Sequence, residues 1–284
     1  MNINTNRRDF LKLVGLGGVV FASSLGPWGH ALAAAGQDFF FVQISDSHWG
    51  FEGAANPEAK NTLKRAVTAV NALKHQPDFI MFTGDLIHGT PDEKVRRQRM
   101  TEFKAIVADL KVKDVRFIPA ENDAGLDNGE MYKAMFGVSN YSFDHKGVHF
   151  IALDNVSDPN GFIGENQLQW LRDDLAKHDQ EQPIVVFAHR PLFDLYPAWD
   201  WVTNDGAKAI DILAPYEYVT VFYGHIHQEH HQMTGKNRAS LLRIIGVAVS
   251  PRRLAAKAIA RCLGSGPSVQ GSGLQYCTDR RQGF

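Results

Sequence analysis

Five short polar segments carry the residues able to do chemistry: Asp46-Ser47-His48, Gly84-Asp85, Glu121-Asn122-Asp123, His189 and Gly224-His225-Ile226-His227. Carboxylates and neutral imidazoles suit Zn²⁺, Mn²⁺ or iron, and this many of them can share two ions. Singly, each segment is ordinary. A Gly-Asp after an apolar run marks a turn, and a His beside an Arg-Pro pair is usually structural. Their placement sets them apart, because each follows an apolar run, at residues 39–44, 79–82, 115–118, 184–187 and 218–222. In open α/β sheets ligands bind beyond the carboxyl ends of the strands. Five strands would therefore deliver their donors to one rim.

The elements that must hold this rim follow from periodicity. Pro57 opens a helical pattern with Ala59, Leu63, Ala66, Val67, Val70 and Leu73 on one face. Residues 92–110 repeat the pattern, with Val95, Phe103, Ile106, Val107 and Leu110 expected inward. A short helix follows Asn128-Gly129 and ends near Phe136-Gly137. Residues 141–143 and 148–153 read as a hairpin turning at His145-Lys146-Gly147. Helices are expected over 167–175 and around 207–213, and residues 240–249 offer one more strand. Strands alternating with helices predict a layered α/β domain, and the hairpin makes its sheet mixed.

The 284 residues are 44% hydrophobic, enough for a full core in one large domain or two small ones. A net charge of −1 gives no basic field, so nucleic acid is not an expected partner. Both cysteines, Cys262 and Cys277, fall near the end, which leaves no thiol elsewhere for a disulfide framework or a cysteine zinc site. At the start, Asn6-Arg7-Arg8-Asp9-Phe10-Leu11-Lys12 precedes an apolar stretch over 13–25, then Pro27 and Ala31-Leu32-Ala33. This reads as a cleavable leader over residues 1–35. The stretch is short for a permanent span, so no stable membrane insertion is expected after cleavage; an uncleaved anchor is the alternative. The arginine pair resembles the twin-arginine export motif. That resemblance implies the twin-arginine machinery as a partner, export of an already folded chain, and a periplasmic or secreted protein.

The order Asp-x-His, Gly-Asp, Pro-x-x-x-Asp, His and Gly-His-x-His resembles that of the calcineurin-like metallophosphoesterases, over residues 39–231. The resemblance implies a two-sheet mixed β-sandwich flanked by helices, here spanning residues 37–249. It implies that Asp46, His48 and His227 hold a first divalent ion, that Asp85 bridges, and that His189 and His225 hold a second, with Mn, Fe or Zn as the metal. It also implies the reaction: a metal-bound hydroxide attacks phosphorus in line with the leaving oxygen of a small phosphate mono- or diester.

The third segment departs from the family's Pro-Gly-Asn-His-Asp, reading Pro119-Ala120-Glu121-Asn122-Asp123. Aligned on Pro119 and Asp123, Glu121 takes the metal-ligand place, Asn122 the place of the catalytic His, and Asp123 orients it. Shifted by one, Asn122 meets the metal and Asp123 replaces the His. In the first alignment an amide stands where a proton donor is expected, and Asn cannot transfer a proton. Weak turnover, or a preference for leaving groups that need no proton, is the expectation; a metal-binding pseudoenzyme that senses or carries a phosphorylated ligand is the alternative. His88, Arg190, His230 and His231 lie near the motifs without clear roles, and Asp154 and Asn155 could support the site. Residues 250–284 lose all periodicity, as a natural disordered tail or a shifted reading frame would.

Overall fold

Strands and helices form where the two periodicities place them in the computed structural model, which describes residues 18–22, 39–54, 56–195, 202–227, 230–234 and 242–246. The first sheet holds β1 (Gly18–Ala22), β2 (Phe40–Ile44), β3 (Phe79–Thr83) and β4 (Val115–Ile118), in that order. Strands β2, β3 and β4 run parallel, and β1 lies antiparallel on the outer edge of β2. The second sheet contains β5 (Tyr141–His145), β6 (Val148–Ala152), β7 (Ile184–Phe187), β8 (Val219–Tyr223), β9 (His230–Thr234) and β10 (Leu242–Gly246), ordered β5-β6-β7-β8-β10-β9. Its central run from β6 to β10 is parallel, with antiparallel β5 and β9 at the edges. The hairpin and the expected late strand are both present.

Helices α1 (Ala59–Asn71) and α2 (Glu93–Val107) cover the outer face of the first sheet. Two short helices, α3 (Glu121–Ala124) and α4 (Glu130–Phe136), follow β4. Helices α5 (Glu165–Leu175) and α6 (Gly206–Leu213) cover the second sheet. Asp92 starts α2 by accepting from the backbone N–H of Lys94 and Val95, which satisfies donors a helix start leaves unpaired. The inner face of α2 is Arg96, Met100, Phe103 and Val107, at helical spacing. This shifts the expected face. Val95 and Ile106 are only half-buried, and Arg96 goes inward because Asp127 meets it at 3.2 Å.

Between the sheets lies an aromatic layer. Phe41 sits in it with ring centroids 5.0–5.8 Å from Phe79, Phe150, Phe187 and Phe222. The next residues of β2 alternate, as a strand must: Val42 and Ile44 turn to the helices. Parallel strands buried on both faces are mostly apolar, and the ligand-type residues of the five segments follow where the chain leaves the sheet. That places the donors at the carboxyl ends of the strands.

Gly18–Ala22 falls inside the stretch read as an export leader, and here it is an edge strand. The twin arginines, the expected cleavage site and the 250–284 tail lie outside the described residues. No helix among the described residues is long and apolar enough to cross a membrane.

Candidate metal centre

The loops leaving β2, β3 and β8 place their donors on left-handed backbone: Asp46 at φ 57°, His48 at 43°, Asp85 at 50°, His225 at 67° and His227 at 48°. Such φ values are uncommon outside Gly and persist only when surroundings impose them. Here the loops hold one another. Asp46 N–H donates to Gly84 C=O at 3.0 Å and His48 N–H to Asp85 C=O at 2.8 Å, while Asp46 Oδ1 accepts from His225 N–H at 2.9 Å. Two glycines permit the approach. A Cβ on Gly84, itself at φ 89°, would stand 2.7 Å from His189 Nδ1, and one on Gly224 would stand 2.6 Å from Asp46 Oδ2.

Two donor groups converge. In the first, Asp46, His48, Asp85 and His227 bring ligand atoms within 4.8 Å of one another. His48 Nε2 lies 3.1 Å from His227 Nε2 and 3.2 Å from Asp85 Oδ2, and His227 Nε2 lies 3.3 Å from Asp46 Oδ1. In the second, Glu121, His189 and His225 converge in the same way. Glu121 Oε1 is 2.7 Å from His225 Nδ1, and its Oε2 is 3.3 Å from His189 Nε2. Asp85 Oδ2 also lies 3.7 Å from His189 Nε2, so one oxygen faces both groups.

These donors fit cations better than they fit each other. Asp46 Oδ2, His48 Nδ1, Glu121 Oε2 and His189 Nε2 are buried without a hydrogen-bond partner, an expensive state for polar atoms. Donors around an ion at about 2.1 Å are spaced by roughly 3.0–3.4 Å; the first group's contacts of 3.1–3.3 Å fall in that range, and those of Glu121 and Asp85 to the second group's histidines spread around it, from 2.7 to 3.7 Å. His189 Nδ1 lies 2.8 Å from Thr83 C=O. A carbonyl only accepts, so Nδ1 carries a hydrogen and Nε2 is the nitrogen turned toward the second group.

The electrostatics are those of a crowded site. Burial, then the charge of Glu121, hold the Asp85 carboxyl well above the ordinary range. Burial brings His48 down to about 4. For His189 burial also works downward, but Glu121 and Asp85 outweigh it and raise the imidazole to about 10. For Glu121 burial works upward, and His189 and His225 overcome it to hold the carboxyl well below its ordinary value.

The structure separates the residues of the third segment. Glu121 opens α3 and joins the second group. Asn122 Nδ2 donates to Asp85 Oδ1 at 2.8 Å, and its Oδ1 accepts from Gly89 N–H at 2.9 Å. This is the arrangement of the alignment fixed on Pro119 and Asp123. Asp123, by contrast, does not reach the rim. It is 1% exposed, and its oxygens accept from the N–H groups of Leu86, Ile87 and Ala120. Expected to orient the residue at 122, Asp123 makes these hydrogen bonds as a brace beneath the Asp85 loop. Burial pushes its carboxyl up to about 7, although those three N–H groups oppose the rise.

Asn155 is a clamp. Its Oδ1 accepts from the His189 and Arg190 N–H groups, and its amide donates to Arg190 C=O and Thr203. Asp154 braces its own turn through Val156 and Ser157. Arg190 Nε stands 3.7 Å from Glu121 Oε2, and His88 sits 6.0 Å ring to ring from His48. Thr83, which fixes the His189 tautomer, was not singled out in the sequence, since a strand-end threonine carries no signal of such a role. The side chains of His230 and His231 lie outside the described residues.

The comparisons with known proteins agree with this geometry. The model of the calcineurin-like phosphoesterase family matches residues 41–229. The chain is 28% identical over 202 residues to a probable cyclic nucleotide phosphodiesterase of Rhodococcus erythropolis, covering 66% of this chain and 64% of that one. It is 27% identical over 178 residues to the mouse serine/threonine-protein phosphatase CPPED1, covering 55% and 57%. With a probable glycerophosphodiester phosphodiesterase GpdQ of Arcobacter nitrofigilis it shares 27% over 209 residues, covering 66% and 71%. The chain thus spans less than two thirds of the length of the Rhodococcus and mouse relatives. A dimetal phosphatase from Danio rerio shares the fold at a TM-score of 0.55 and 16% identity, over 74% of this chain and 87% of that one. Because the family model runs through all five ligand-bearing loops, the chain belongs to the calcineurin-like phosphoesterases.

Proposed function

We propose that the protein is an exported two-metal phosphoesterase that hydrolyses small phosphate mono- or diesters. One observation carries this reading: a single oxygen, Asp85 Oδ2, lies 3.2 Å from a donor of the first group and 3.7 Å from a donor of the second. Asp46, His48 and His227 would hold one divalent ion of Mn, Fe or Zn, and Glu121, His189 and His225 the other, with Asp85 between them. Such ions, when bound, polarise phosphoryl oxygens and make water acidic near neutral pH. Two of the similar proteins are named as diesterases, which favours the diester.

The chain's own residues set the rest. Glu121 adds a negative charge where an amide would add none, and oxygen donors of either kind suit these ions. Asn122 points its Oδ1 at Gly89 and its amide at Asp85, so it positions the bridging carboxylate and supplies no proton. Arg190 sets a guanidinium beside Glu121, where a substrate phosphate would meet it. Leaving groups that depart as stable anions are then the favoured ones.

Hydrolysis of an aryl phosphodiester with added Mn²⁺ tests the reading. Turnover is expected in the unaltered protein and lost in Asp85→Ala. The Asn122 substitution favours a second reading, a pseudoenzyme, which predicts two bound ions and no turnover. Export by the twin-arginine route is supported by Arg7-Arg8 and the apolar stretch after them. Changing both arginines to lysine should leave the protein in the cytoplasmic fraction, and unchanged export would refute that route.

A further inference from the structure

Beyond His48 the first two ligand loops run on together and carry a pair of aromatic rings past the rim. Trp49 N–H donates to Leu86 C=O at 3.1 Å and His88 N–H to Trp49 C=O at 2.9 Å. The parallel pairing of β2 with β3 thus resumes as a bridge between Trp49 and Ile87. Phe51 N–H turns back to His48 C=O at 2.9 Å. The Phe51 and His88 rings meet edge to face, centroids 5.0 Å apart at 89°, and the His88 ring lies 6.0 Å from that of His48. The two rings therefore continue outward from the first donor group.

This wall is fixed from behind. The Trp49 indole packs on the core beneath the first sheet's helices and donates to Glu102 Oε2 on α2 at 2.8 Å. Arg99, also on α2, donates to His88 C=O at 2.5 Å. Gly50, at φ 89°, lets that guanidinium pass where a Cβ would collide with it, and Gly53 does the same for the Phe51 ring. Phe51 itself is half-buried, and among the described residues it joins none of the three core clusters. What it does not give to the core it can offer to a ligand. The ordering cost is small, because its loop is already held.

We propose that Phe51 and His88 form a specificity wall that takes a planar aromatic arm of the phosphate ester, an aryl group or a nucleobase. The inference rests on the two-metal reading for the place of the phosphate. Phosphate at the first donor group lies beside the wall. A ring on its organic arm pairs with Phe51 and His88 edge-on or offset, at centroid separations of about 4.5–7 Å. A saturated arm of the same bulk gains burial there but no ring pairing. Neither residue takes part in the reaction; both select what is presented to it.

The test measures binding of simple phosphonates to the Mn²⁺-loaded full chain by calorimetry. Phenylphosphonate should bind about tenfold more tightly than methylphosphonate. It should also outbind cyclohexylphosphonate, which matches its size without the flat ring. Phe51→Leu should cut the preference for phenyl over methyl by about fivefold and leave methylphosphonate affinity unchanged, and Phe51→Tyr should keep the preference. An adenosine phosphonate whose affinity depends on Phe51 in the same way assigns the wall to nucleobases; dependence for the phenyl compound alone assigns it to aryl groups. Binding is read without turnover, so a protein that selects aromatic phosphonates and hydrolyses nothing refutes the esterase and keeps the wall. If neither aromatic phosphonate outbinds methylphosphonate, or if the preference persists in folded Phe51→Leu, the proposal is overturned.

Discussion

The two ends of the sandwich use the same residue types and differ in how well those residues are satisfied. At the rim stand five of the seven non-glycine residues with positive φ, together with buried donors that have no hydrogen-bond partner. At the opposite end, Asp78 accepts from Lys146 at 2.5 Å, faces His145 Nε2 at 3.1 Å and takes the Phe40 N–H at 3.2 Å. His149 there lies between Asp144 and Asp174. At that end positive φ is confined to Lys146 and Gly147 of the hairpin turn. The difference teaches where stability has been traded for chemistry: strained backbone collects where ligands bind, and unpartnered atoms of Asp46, His48, Glu121 and His189 stand with it. Changes at the rim should therefore cost activity and spare the fold, and changes at the far end should do the reverse.

The largest break in that contrast should come from Asp85→Ala. We expect Mn²⁺-supported hydrolysis to fall by about 10³ or more, while the urea midpoint holds or rises, because burial and Glu121 make this carboxylate costly to the fold. Next is a gain. Asn122→His should raise turnover of an ester with a poor leaving group by about 10², the scale of general acid catalysis, and leave a good leaving group nearly unchanged. At the far end, Asp174→Ala orphans a nitrogen of buried His149. It should cost about 1–3 kcal/mol in urea unfolding with turnover intact.

The smallest effect is a pH dependence. Burial works to raise the Asp78 carboxyl, but Lys146, the Phe40 N–H and His145 together hold it below its ordinary value. A carboxyl lowered in the folded state stabilises above its unfolded value of about 3.9 and loses that contribution as pH falls through the folded value. Asp78→Asn should therefore narrow the gap between stabilities measured at pH 6 and pH 3, and leave turnover at neutral pH unchanged.

How much of this was legible in the sequence also differs between the ends. The rim could be read because each ligand follows an apolar strand and the order of motifs is distinctive. Glu121, Asn122 and Asp123 could not be assigned, since two alignments satisfy the spacing. Helix α3 spreads them apart: it begins at Glu121, and successive side chains on a helix point about 100° apart. Glu121 and Asn122 thus reach the rim, and Asp123 turns to the Asp85 loop. The far end was illegible because its contacts are tertiary. Nothing near Asp174 announces a partner 25 positions earlier in the chain. Arg96 on the inner face of α2 was missed for the same reason, its partner Asp127 being 31 positions away.

The central claim is that the two donor groups work as one site through Asp85. A parallel titration of Mn²⁺ binding and aryl phosphodiester hydrolysis, in the unaltered protein and in Asp85→Ala, tests it most directly. Turnover should appear in the unaltered protein as rim ions bind, vanish on chelation, and be absent from Asp85→Ala at every Mn²⁺ concentration. An unaltered protein that binds its ions and stays inert, or an Asp85→Ala variant that turns over as fast, would contradict the account.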